Sequence, residues 1–150
     1  MKLGQVAGAV GKGLFAGVVG TAAMTVSSTI EARMSGREAS SAPADAAGKV
    51  LGVQPRNPEG RERFSTAVHW GYGTGWGAAR GLLAATGLQG RAATTAHFAT
   101  VWGTSMVMLP RLGVAPPVTQ WGPQQLATDA FHHAVYAVAT SVAYRFIDRH

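Results

Sequence analysis

The octapeptide D-A-F-H-H-A-V-Y sets Asp129, His132, His133 and Tyr136 within two turns of a helix. Asp129, His132 or His133, and Tyr136 recur at i, i+3, i+4 and i+7, so they share one face. Carboxylate and imidazole ligands suit zinc, iron or manganese. A carboxylate and a histidine at i, i+3 resemble half of the pattern in helical carboxylate metal sites. The same groups could relay protons, because histidine titrates near neutral pH. Glu31 and His69 are the other ionisable groups placed to join them. Three readings stay open for this polar cluster: a hydrogen-bond network that fixes helix register, a proton, ion or small-solute pathway, and a metal or haem site. No cofactor is required by any of the residues.

Other chemistries find no support. The chain has no cysteine, which removes disulfides, thiolate ligands and cysteine nucleophiles. No G-x-S-x-G elbow is present. G-A-V-G-K-G (Gly8–Gly13) lacks the Ser or Thr that follows the lysine of a phosphate-binding loop. No frame of H-W-G-Y-G-T-G-W-G (His69–Gly77) completes the three glycines of a dinucleotide loop, since Trp76, Ala78 or Arg80 occupies the third glycine position. No catalytic residue is assigned, and an enzyme is the less favoured class.

The elements that would position the cluster follow from charge. Charged residues make up 13% of the 150 residues, against about 25% in ordinary soluble domains. No charge occurs from Gly13 to Ile30, Phe64 to Ala79 or Ala92 to Pro110, and from Gln124 to Tyr144 there is only Asp129. An apolar helix of about 20 residues crosses a bilayer. No charged outer face, as a soluble helix requires, can be drawn on the first and third of these runs. The expected fold is therefore all-α: a four-transmembrane-helix bundle, one membrane domain over 1–150, with helices at about 6–32, 58–86, 91–109 and 123–148.

Punctuation supports these bounds. Asn57-Pro58-Glu59 is a helix start, Gly87 a helix stop, and Pro110 the expected end of the third long helix. Ser41 and Pro43 predict a short interfacial helix in the first connection. The N-terminal run is long for a signal peptide and is read as the first span. Basic residues divide six against seven between the two membrane sides, with Arg37 among the seven, so orientation is undetermined. The basic stretch Arg56–Arg63 has no interleaved aromatic residue and reads as lipid-headgroup contact, not nucleic-acid binding.

Glycine supplies the packing. Gly13, Gly17 and Gly20 lie along the first helix. Gly71 and Gly75, and Gly73, Gly77 and Gly81, form linked G-x-x-x-G motifs on the second, which let backbones approach closely in lipid. With successive helices antiparallel, Glu31, His69, Asp129 and His132 fall near one end of the bundle and could converge there. His97 and Arg80 fall near the other end.

A-G-V-V-G-T-A-A-M-T (Ala16–Thr25), H-W-G-Y-G-T-G-W-G-A-A-R-G-L-L (His69–Leu83), A-H-F-A-T-V-W-G (Ala96–Gly103) and A-T-D-A-F-H-H-A-V-Y-A (Ala127–Ala137) together resemble a family of small bacterial four-helix integral membrane proteins of unknown function. The likeness covers the chain from about Gly13 to Tyr144. It implies a multi-pass location in the bacterial inner membrane and no particular reaction. The expected partners are the lipid bilayer and a second copy or a membrane partner protein. The expected role is helix packing or partner interaction.

Overall fold

A computed structural model describes residues 2–36, 40–53 and 55–149. Among them there are five α-helices, one 3-10 turn and no strand. The helices are α1 (Leu3–Ser35), α2 (Ala42–Leu51), α3 (Pro58–Ala85), α4 (Gly90–Arg111) and α5 (Pro123–Arg149), with the 3-10 turn at Val118–Gln120. The basic charge at Arg37 lies outside the described residues. Among the described residues only α1 is both long and apolar enough to cross a membrane by length and composition.

The ends follow local chemistry. The Asn57 side chain accepts from the Gly60 amide at 2.8 Å and Pro58 opens α3, as the sequence predicts. Ser41 differs from expectation. Its backbone is already helical and its hydroxyl donates to Asp45 at 2.7 Å, so it does not cap the amides of α2. Pro110 does not end α4. It sits in the last turn, where its missing N–H removes the bond back to the Met106 carbonyl, and the helix runs one residue further. Gly113, in the left-handed region at φ 62°, makes the actual stop.

The long helices alternate in direction, and α1 is the element most extensively packed, against α3 on one flank and α5 on the other. The α1–α3 seam is backbone on backbone. A Cβ added at Gly77 would meet the Gly13 carbonyl oxygen and would lie 2.7 Å from the Gly17 Cα. A Cβ at Gly81 would meet the Ala9 carbonyl, and one at Gly73 the Thr21 hydroxyl. Rising numbers in α1 meet falling numbers in α3, which makes the pair antiparallel. Gly20 instead faces α5, where Tyr136 and Thr140 fill the space that its side chain would take. α4 closes the far side against α5 and α3.

One expectation about these glycines is corrected. Gly71 and Gly75 make no close approach: a Cβ on either would find nothing within 4 Å. With Val68, Tyr72 and Trp76 they line an open groove on the outside of α3. Gly73, Gly77 and Gly81 make the close approach to α1, and a helix turns only one such stripe toward a given neighbour.

Candidate functional site

The bulkiest fully buried side chains are mostly polar, alanines and Val101 fill much of the remaining interior, and many large apolar side chains are exposed. The largest side chains withdrawn from the surface are Arg80, Tyr136, His97, Thr21, Thr140 and Ser141. The surface carries Phe15 and Val19 on α1, Leu82 on α3, Val107 on α4, and Phe131, Val138, Val142 and Phe146 on α5. α5 has a simple rule behind this: His132, Tyr136, Thr140, Tyr144 and Asp148 recur at every fourth residue. That row is a single face. All but Asp148 are buried.

The four groups expected to converge divide into three sites. His132 and Glu31 do meet, with Nε2 and Oε2 3.8 Å apart. Ser27 Oγ lies 2.9 Å from His132 Nδ1 and 3.0 Å from the Met24 carbonyl. A hydroxyl has one proton, and the carbonyl can only accept. Ser27 therefore donates to Met24, and His132 donates from Nδ1 to Ser27. Nε2 on the other side of the ring faces Glu31, and it can donate there only when the imidazole carries a second proton.

His69 is separate from both carboxylates. Its Nε2 is 2.8 Å from Thr25 Oγ1, which donates to the Thr21 carbonyl at 2.8 Å. By the same proton count His69 donates to Thr25. Asp129 faces the other way, toward α4, and accepts from the Trp102 indole at 2.8 Å. His133 stays on its own helix, with Nδ1 2.8 Å from the Asp129 carbonyl and 3.5 Å from its carboxylate. The separation is rotational. Three residues advance a helix by less than a full turn, so Asp129 and His132 diverge enough for one to face α4 and the other α1.

Tyr136 lies deeper than the cluster to which the sequence assigned it. Its hydroxyl donates to the Gly73 carbonyl at 2.6 Å, and its ring centroid is 5.5 Å from that of His97. His97 was expected near the opposite end and instead lies mid-bundle, fully buried, donating from Nε2 to the Trp76 carbonyl at 3.1 Å. Counting from the start of α4 underestimated its depth, because α4 begins level with the end of α3 and His97 is already two turns inside.

Arg80 and Tyr144 were not singled out as site residues. Arg80 is 2% exposed, donates from Nε to Ser141 at 3.2 Å and stacks on the Tyr144 ring at 4.5 Å. Past them, Asp148 pairs with Lys12 at 2.9 Å. The signal that could have found them is the every-fourth-residue row of polar groups on α5.

The arrangement holds protons at defined atoms but assembles no nucleophile with its base. Among the described residues no three His, Asp or Glu side chains are placed to share a metal ion. Within that cluster two carboxylate–histidine pairs meet among the described residues, Glu31 with His132 and Asp129 with His133. Comparison with protein families, curated proteins and solved structures yields no match to this chain.

Proposed function

We propose that this chain is a multi-pass membrane protein whose α1, α3, α4 and α5 cross the bacterial inner membrane, with α2 lying at one interface. The role assigned to it is binding and helix-mediated assembly. The observation that carries this reading is the inverted distribution of polarity. A water-exposed bundle buries its leucines and valines and keeps arginine and histidine outside. Here Arg80, His97 and His132 are inside, and Phe15 is 72% exposed. In lipid, ionisable groups turn to the bundle interior, and close helix contact comes from small residues. Alkaline carbonate treatment of membranes from expressing cells tests the proposal: the protein is expected to stay in the pellet, and its release to the supernatant would contradict membrane integration.

A second reading, a proton pathway, is favoured by the polar row on α5. Glu31 and His132 stand at one end, Tyr136 and His97 in the middle, and Arg80, Tyr144 and Asp148 at the other. Proton flux into liposomes containing the purified protein tests it. His132→Ala should reduce flux while the protein stays folded. Equal flux from the variant and the parent rejects the pathway.

A further inference from the structure

The end of the bundle opposite Glu31 holds a pocket that the readings above do not use. It has a volume of about 460 Å³ and lies between the start of α1, the end of α3, the α3–α4 turn and the end of α5. Arg80 forms part of its wall, with Tyr144, Arg145, Asp148, Arg149 and Gly90 around it. Three of these side chains are cationic. The one acid, Asp148, is already matched by Lys12.

Arg80 shows what the pocket lacks. A guanidinium presents several N–H donors in a rigid planar fork, and it stays charged. Among the described residues Arg80 uses one donor, Nε to Ser141, and stacks its plane on Tyr144. Its Nη1 is buried with no hydrogen-bond partner, and no carboxylate forms an ion pair with it. A buried arginine with no carboxylate in ion-pair contact is costly. Tyr144 and Ser141 orient the fork but leave the charge unbalanced.

The pocket also receives a helix N-terminus. α4 begins at Gly90, and its N-cap, Gln89, makes no side-chain hydrogen bond to the first-turn amides. Free amides at the positive end of a 22-residue helix favour an anion. Arg145 and Arg149 add charge at the rim, and neither forms an ion pair among the described residues.

We propose that this pocket binds a phosphate group, with Arg80 as the fixed base of the site and Arg145 and Arg149 closing over it. Oxygen atoms accepting from a guanidinium fork and from helix amides are the chemistry that the wall offers. The group has two sources, an inorganic or soluble phosphate and the headgroup of an acidic phospholipid entering from the bundle rim. The site stands on the pocket and not on the membrane reading, so either can fail without the other.

The test uses the full chain purified in a nonionic detergent. Binding of inorganic phosphate, of dioctanoyl phosphatidate and of uncharged dioctanoylglycerol is followed by calorimetry and by the shift in melting temperature. Phosphatidate is expected to bind saturably and to raise the melting temperature, and dioctanoylglycerol is not. Saturable binding by inorganic phosphate too identifies a site for the group itself; binding by phosphatidate alone identifies a lipid headgroup site. Arg80→Gln should weaken binding by about tenfold or more, since it removes the charge-assisted fork. Because Arg80 is buried, Arg145→Gln at the rim is the second variant. It should weaken binding by about threefold without altering the fold. Equal binding of phosphatidate and dioctanoylglycerol overturns the proposal. So does the absence of any binding, or binding that Arg145→Gln and a folded Arg80→Gln both leave unchanged.

Discussion

The two glycine faces of α3 have the same spacing and opposite surroundings. Gly73, Gly77 and Gly81 press directly on the backbone or side chains of α1, while Gly71 and Gly75 border an open groove. Spacing makes a thin helix face; a second helix must supply a matching one. α1 carries Gly13 and Gly17 in register with the first set and offers nothing to the second. The α1–α3 contact is therefore specified by two sequences together, and the outer groove by neither.

Substitutions can break this comparison. The largest effect is expected from Gly77→Ala. Its methyl group would meet the backbone of Gly13 and Gly17, which cannot turn aside as a side chain can. Overpacking of this kind costs about 1–3 kcal/mol, more than the helix propensity gained by alanine. Equilibrium unfolding in detergent should show that loss, and an unchanged midpoint would mean that the seam is looser than described. Tyr136→Phe comes next. It removes the hydroxyl bound to the Gly73 carbonyl at 2.6 Å and should cost about 1 kcal/mol, read in the same assay. Gly75→Ala should have the smallest effect and the opposite sign. Its methyl group meets open space, and alanine stabilises a helix interior by up to about 1 kcal/mol relative to glycine. A marked loss in Gly75→Ala would show that another helix occupies the outer groove, as in an assembly of two copies.

The legible part of the fold was what depends on one helix at a time. Asn57 and Pro58 gave the start of α3, and uncharged runs gave the four long helices within a few residues. Pro110 misled because a proline in a last turn is tolerated, and the stop came from Gly113. The site was less legible because it depends on rotation between helices. Sequence placed Glu31, His69, Asp129 and His132 at one end, which the pairing of His132 with Glu31 and of His69 with Thr25 agrees with. It could not tell that Asp129 turns toward Trp102 on α4. Arg80 was read as the flank of an uncharged run, although its neighbour Tyr144 lies on the same row of α5 as His132 and Tyr136. Charge flanking a span usually faces water; here the glycine seam draws α3 close enough for α5 to cover it.

In the proposed membrane protein the apolar outside of the bundle faces lipid while its polar groups face inward. The chain has no cysteine, so one introduced thiol reports on one place. Val138 lies mid-helix on the exposed side of α5, away from the buried row. The decisive measurement is the labelling of Val138→Cys by a hydrophilic maleimide in intact and in detergent-denatured membranes. No labelling is expected until the membrane and the fold are disrupted. Rapid labelling in the intact state would place this face in water and contradict it.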